Sequence, residues 1–235
     1  MGCVSSQATV PIDDIIISIF GIDNAGKTCL LRSLAGNFEF DCVPTVGLGQ
    51  ESFMYNDIKL TVYDLGGNAK FRSVWERFYA ATWGFIWVVD ASDEARINES
   101  KEALHKMIQH EFLKTKPFIV VANKQDKEGA IKAADLKKRL DLPKKIQVVD
   151  AIVTQPNIEE KKPNPGVSAA LDLLINTIIA DYPKLASKRQ VDLKKQEEID
   201  QREKEEKRAR IEKARAEREA KAAEEAKQAD AAQAQ

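Results

Sequence analysis

The sequence predicts an α/β fold: a mostly parallel six-stranded sheet with helices on both faces, followed by a charged C-terminal helix. Three observations predict it. Short β-branched apolar runs alternate with stretches of helix-compatible apolar spacing, the pattern of a parallel sheet with crossover helices. A glycine-rich string, GIDNAGKT at residues 21–28, stands between the apolar run at 15–20 and the helix-spaced residues 29–34. Composition then changes abruptly: residues 184–235 contain no Gly, Pro or aromatic residue, and Ala, Glu, Lys and Arg dominate.

Each element has its own local reason. A buried strand is expected at 13–20, because its apolar run is continuous rather than alternating. A helix at 27–36 opens on the glycine string. Strands at 51–55 and 58–64 flank Tyr55-Asn56-Asp57, a hairpin turn that makes the pair antiparallel. Strands at 84–90, 117–122 and 146–151 alternate with helices at 71–80, 97–113, 132–140 and 168–181, so they join a parallel sheet covered on both faces. Trp83 and Trp87 are expected in the core, and His105 and His110 on the surface of their helix. Trp75, Phe78 and Tyr79 suit a partner-binding surface, with core packing as the alternative and at least as good a fit for Phe78.

The 235 residues divide into an N-terminal segment, 1–11, one domain over 12–183 and a tail over 184–235. A net charge of −1, with no Lys/Arg-only cluster, argues against nucleic acid as a partner. Cys3, Cys29 and Cys42 have neither disulfide-framework nor zinc spacing, which fits a reducing compartment. No apolar stretch reaches the roughly 18 residues of a membrane span, and no signal peptide is visible.

The chemistry begins at the glycine string, which fits G-x-x-x-x-G-K-[ST]. In that arrangement backbone N–H groups close around phosphates, and a helix N-terminus adds positive potential. Lys27 would reach the β- and γ-phosphates, and the Thr28 hydroxyl would hold Mg²⁺. Asp23, Asn24, Ala25, Gly26 and Cys29 complete the phosphate cradle. A glycine-rich turn without ligand is the bland alternative. Three further strings, in order along the chain, weigh against it. PTVG at 44–47 offers Thr45 to Mg²⁺ and the γ-phosphate. DLGG at 64–67 offers Asp64 to the metal and the Gly67 N–H to the γ-phosphate. NKQD at 123–126 follows an apolar strand and supplies Asn123, Lys124 and Asp126 to a purine. The Asp126 carboxylate can accept from guanine N1–H and the 2-amino group, whereas adenine would leave that acceptor unpaired. An ATPase reading is disfavoured on that ground. GTP or GDP with Mg²⁺ is therefore the expected ligand.

GIDNAGKT, PTVG, DLGG, RSVW at 72–75, VVDASD at 88–93 and ANKQD at 122–126 together resemble the Arf family of small GTPases, over roughly residues 12–182. The resemblance implies the phosphate-loop small-GTPase fold and a molecular switch. Most members continue DxGG with a glutamine that orients the attacking water; this chain has Asn68. Gly67 and Asn68 are accordingly the catalytic candidates, with slow hydrolysis expected, since a misplacement of about an ångström can cost on the order of a hundredfold. The resemblance also assigns Ala151 as a backbone donor to guanine O6, an alignment resting on one alanine. DLGG without glutamine, ANKQDKEGA, an acylatable N-terminus and a charged tail are similar to the ADP-ribosylation-factor-like protein 13 subfamily. That likeness implies a cilium or flagellum, effectors at the switch segments, and exchange activity toward another Arf-like GTPase, protein three. A GTP-dependent scaffold or binding module is the alternative.

Both ends carry separate expectations. Residues 1–6, MGCVSS, fit the myristoylation pattern with Gly2 as acceptor and Cys3 for palmitate. Two acyl chains anchor stably where one does not; an unmodified start is the alternative. In the tail the only large aliphatics after Leu193 are Ile199 and Ile211, so no coiled-coil seam persists. Acid-to-base pairs four apart, such as Glu198–Arg202 and Glu206–Arg210, each stabilise a helix by about 0.2–0.5 kcal/mol. A solvated single helix is expected, with a weak dimeric coil or a disordered tail as alternatives.

Overall fold

The computed structural model describes residues 14–43, 45 and 47–233, with side chains described through 218. The proposed acyl acceptors Gly2 and Cys3 lie outside those residues, as does the 1–11 segment. Six strands, β1 (Asp14–Phe20), β2 (Leu48–Tyr55), β3 (Ile58–Leu65), β4 (Gly84–Asp90), β5 (Phe118–Asn123) and β6 (Val148–Asp150), form one sheet in the order β2-β3-β1-β4-β5-β6. Only β2 runs antiparallel, against β3. The helices are α1 (Lys27–Leu34), α2 (Glu76–Tyr79), α3 (Ile97–Ile108), α4 (Ala133–Arg139), α5 (Pro165–Ala180) and α6 (Tyr182–Gln233).

The β2–β3 turn takes the expected form. Asn56 and Asp57 both have positive φ, 46° and 63°, the two left-handed positions whose twist matches that of paired strands. Tyr55 then pairs with Ile58 and the ladder runs back to Leu48 opposite Leu65, three residues further than the sequence suggests. As the edge strand, β2 alternates half-buried and exposed positions.

The central strands are buried on both faces. Ile15, Ile17 and Ile19 of β1, with Ile86 and Val88 of β4, pack with residues of α1 and α5 such as Leu30, Leu31, Leu171 and Leu174. The alternate positions face an aromatic cluster: Phe20 meets Trp75, Tyr79 and Phe85 with ring centroids 5.4–5.7 Å apart. Trp75 and Tyr79 are therefore core residues rather than partner surface, both under 5% exposed. Phe78 is half-buried, edge-on to Tyr63. Trp83 and Trp87 are buried as expected.

Three expected helices differ in form. Residues 69–75 wind as a 3₁₀ helix before the single α-turn of α2, because the Asn68 side chain caps it and the Trp75 indole N–H reaches back to the Gly66 carbonyl at 2.9 Å. The helix α3 stops at Ile108 rather than 113. Half-buried His110 sits there edge-on to Tyr79, and His105 bonds the Leu140 carbonyl at 2.8 Å; neither is the free surface group expected. The helix α5 starts earlier, at Pro165, because the Asn164 side chain caps the Gly166 N–H and proline suits the first turn.

The chain divides into two compact units, Met1–Gln190 and Val191–Gln235. The first reaches past the expected boundary at 183: Leu185 is buried, and Arg189 donates to the Ala81 carbonyl at 2.7 Å while lying over the Trp83 ring. In the second unit the chain stays helical, with residues 200–218 exposed throughout. No helix among the described residues is long and apolar enough to cross a membrane.

Candidate nucleotide-binding site

The strand order reverses around β1, whose neighbours are β3 and β4, and a crevice opens where such a sheet switches direction. The loops after β1, β3 and β5 meet there and border a cleft of about 600 Å³. Twelve of the residues expected at the site line it: Asp23, Asn24, Gly26, Lys27, Thr28, Cys29, Thr45, Gly67, Asn68, Asn123, Lys124 and Asp126. Ala25 lies beneath them, fully buried, with its carbonyl accepting from the Asn123 amide at 2.9 Å.

The phosphate end is shaped by backbone. Gly26 has φ +98°, and a side chain there would run into the Asn123 amide. Lys27 is 6% exposed, and its ammonium donates to the Ile22 carbonyl at 2.9 Å. Burial lowers its pKa to about 8, against the upward pull of Asp64 and Asp23. A buried ammonium with one carbonyl partner is suited to an anion that supplies the missing charge. Gly67 closes onto the same loop so tightly that a Cβ would strike Lys27 and the Asp23 amide.

Three oxygens converge beside it. The Thr28 hydroxyl donates to Asp64 Oδ2 at 2.6 Å, the Thr45 hydroxyl donates to the same oxygen at 3.0 Å, and the two hydroxyls are 2.8 Å apart. The other carboxylate oxygen, Oδ1, is buried without a hydrogen-bond partner among the described residues. Hydroxyl and carboxylate oxygens are the donors Mg²⁺ prefers, usually alongside waters and phosphate oxygens. The set therefore fits the ion. Thr28 and Thr45 would hold it, Asp64 would orient its waters, and the ion would neutralise phosphate charge.

A charged ring locks this end to its surroundings. Asp23 pairs with Arg96 at 2.8 Å, Arg96 with Glu99 at 2.9 Å, and Glu99 accepts from Arg72. Arg72 in turn donates to the Gly67 carbonyl at 2.8 Å. The Arg96 guanidinium holds Asp23 below its usual carboxylate range, against the penalty of burial. Sequence reading missed Arg96 and Glu99, which belong to no motif. Arg72 stood in RSVW without an assigned role.

The base end is assembled differently. Asn123 bridges the loops, its Oδ1 accepting from the Val153 N–H at 3.2 Å. Lys124, at φ 63°, pairs with Asp90 of the VVDASD string at 2.6 Å. Burial raises the Asp90 pKa, but Lys124 and Ser92 together hold it below the ordinary value. Ala151 does not present its amide to the cleft. Its N–H donates to the Ala122 carbonyl at 3.0 Å, extending the β5–β6 ladder, and the residue is buried. Thr154 lines the cleft there instead.

Asn68 also departs from expectation. It lines the cleft, yet its carboxamide oxygen accepts from the Lys70 N–H at 3.0 Å, capping the 3₁₀ helix.

The comparisons with known proteins agree with this geometry. The ADP-ribosylation factor family model matches residues 6–178. ADP-ribosylation factor-like protein 1 of Saccharomyces cerevisiae is 36% identical over 165 residues, covering 70% of this chain and 88% of its own length. ADP-ribosylation factor-like protein 13B of Chlamydomonas reinhardtii is 39% identical over 128 residues, which is 54% of this chain but 24% of that protein. Among solved structures, the Arl6 BBS3 small GTPase from Trypanosoma brucei, bound to the nucleotide analogue GppNp, superposes with a TM-score of 0.60 at 29% identity. That match covers 70% of this chain and 96% of that one. The chain belongs to the ADP-ribosylation factor family of small GTPases, molecular switches that bind GTP and GDP.

Proposed function

We propose that this GTPase is a membrane-anchored switch of the ADP-ribosylation factor-like 13 type, with slow intrinsic hydrolysis and a long-lived GTP state. One observation supports the slow hydrolysis: the Asn68 carboxamide oxygen is engaged in capping, bonded to the Lys70 N–H at 3.0 Å. Asparagine is a methylene shorter than glutamine, and the oxygen that would orient an attacking water is already accepting from the Lys70 N–H. In single-turnover assays Asn68→Gln should hydrolyse GTP faster, by roughly tenfold to a hundredfold. Equal rates would overturn the idea.

The exposed Leu48, Met54 and Phe71 lie on β2 and the segment after DLGG. They offer apolar surface to an effector, or to another Arf-like GTPase, protein three, whose exchange the chain would promote at a cilium or flagellum. The GTP-loaded chain should accelerate release of labelled GDP from that GTPase; no acceleration would leave the plain switch or a GTP-dependent scaffold. Anchoring is assigned to myristate on Gly2 and palmitate on Cys3. A myristate analogue should label the wild type and not Gly2→Ala, and an unlabelled wild type would refute the anchor.

A further inference from the structure

Cys29 and Cys42 are both free thiols and both half-buried. They are 13 positions apart, yet their Sγ atoms lie 2.8 Å from each other. A disulfide bond is about 2.05 Å long, so closing this gap needs a movement of less than about 1 Å. The two sides differ in how easily they yield. Cys29 is held in the first turn of α1, directly after the Mg²⁺ candidate Thr28. Cys42 belongs to an irregular segment, 37–43, that lies along α1.

That alignment is enforced by other contacts. The Arg32 guanidinium, one turn after Cys29, donates to the Glu39 carbonyl at 2.8 Å and to the Asp41 carbonyl at 3.0 Å. The Cys29 thiol itself reaches the Phe40 carbonyl at 4.0 Å. The segment therefore arrives with Cys42 already against Cys29, and three residues later the chain delivers Thr45 to the metal oxygens. Both cysteines line the same cleft as Lys27 and Thr45.

We propose that Cys29 and Cys42 form a reversible disulfide tether that fastens the irregular segment 37–43, at the wall of the nucleotide cleft, to the helix behind the phosphate loop. The oxidant is a peroxide. One thiolate attacks hydrogen peroxide, an S–O bond forms as the O–O bond breaks, and the departing hydroxide takes up a proton to leave as water. The second sulfur then attacks the sulfenic sulfur. An S–S bond forms, the S–O bond breaks, and the hydroxyl leaves as water with the second thiol's proton. The balance is two thiols and one hydrogen peroxide to one disulfide and two waters. With the wall fastened, the segment carrying Thr45 cannot swing out, and bound nucleotide is trapped whichever nucleotide it is.

This rests on the cleft being the guanine-nucleotide site, and the experiment separates the two ideas. The full chain carrying Cys3→Ser has Cys29 and Cys42 as its only cysteines. It is loaded with fluorescent GDP and Mg²⁺, treated with hydrogen peroxide, and followed by nucleotide release and by peptide mapping without reductant. The expected result is a linked pair of peptides containing Cys29 and Cys42. Release should slow on the order of tenfold to a hundredfold, the usual size of a coupling between two linked sites. Dithiothreitol should restore the original rate, and a further Cys42→Ser change should remove the response. A chain that forms no Cys29–Cys42 link overturns the tether, and so does a linked chain that releases GDP as fast as the reduced one. The link is read by mapping even without nucleotide, so failure of the reduced protein to retain GDP strikes the nucleotide assignment alone.

Discussion

The two ends of the cleft are built by opposite means. At the phosphate end, Asp23 to Cys29 come from one unbroken stretch running from the loop after β1 into the first turn of α1, and the backbone itself makes the cradle. At the base end, Asn123 closes β5 and Lys124 and Asp126 follow it, while Thr154 comes from a loop after β6 that Asn123 and Asn164 hold at the Val153 and Ile152 N–H groups. A contiguous cradle takes its shape first from local φ and ψ, as at Gly26, with the Asn123–Ala25 bond and the Arg96–Asp23 pair bracing it from outside. An assembled one depends on cross-links between distant loops, so its specificity is high while its rigidity is borrowed.

The largest effect should come from the base end's one carboxylate facing the cleft. Asp126→Asn exchanges an acceptor for an N–H donor opposite the guanine 2-amino group. Loss of guanine binding on the order of ten-thousandfold is expected, since a site built to pair a polar group discriminates that strongly. Xanthine nucleotides, which carry an oxygen at that position, should bind in compensation. Competition titrations with GDP and XDP check it, and undiminished GDP affinity would show that the base is read elsewhere.

The second prediction probes the phosphate end, where the buried ammonium of Lys27 sits near pKa 8 without ligand. Phosphate charge raises that pKa, so nucleotide binding takes up a proton whenever Lys27 starts neutral. The stabilisation is complete below about pH 8 and is lost as pH rises toward the pKa of the bound state. GDP affinity should therefore fall by roughly tenfold between pH 7 and pH 9, at fixed Mg²⁺. Lys27→Arg, which stays charged, should show a flatter profile and isolates any contribution from the base's own titration. A wild-type profile as flat as the arginine form would mean that burial does not shift Lys27.

The same contrast explains what the sequence made legible. The meeting of the glycine loop with Thr45 and Asp64 was readable because its spacing is dictated by a single loop and by strand ends; Thr28, Thr45 and Asp64 converge within 3.0 Å. Ala151 was misplaced because its assignment depended on register in a loop with no motif of its own, and the β5–β6 ladder claims its N–H. Asn68 stood out in the sequence only for the glutamine it replaces; its capping depends on the 3₁₀ winding after it. The Arg72–Glu99 and Arg96–Asp23 pairs and the Cys29–Cys42 contact join residues 13 to 73 positions apart with no periodicity between them. Trp75 and Tyr79 looked like surface because aromatics in a mobile segment often are; here the alternate face of β1 and β4 needed large rings to fill it.

The smallest effect distinguishes the two ends most cleanly. Asn164 caps α5 at Gly166, accepts from the Ile152 N–H at 3.4 Å and donates to the Gln155 carbonyl at 3.3 Å, so it spans the loop that carries Thr154. Replacing a cap of this kind costs about 0.5–2 kcal/mol, which corresponds to a few-fold to roughly thirtyfold in an equilibrium. Asn164→Ala should thus hasten GDP release several-fold, because the loop on the base side loosens. No hydrogen bond joins Asn164 to the phosphate cradle among the described residues, so direct binding of pyrophosphate with Mg²⁺ to the nucleotide-free chain should keep its wild-type affinity. If pyrophosphate binding weakens in parallel with GDP, the two ends are mechanically one, and the distinction between contiguous and assembled construction loses its functional meaning.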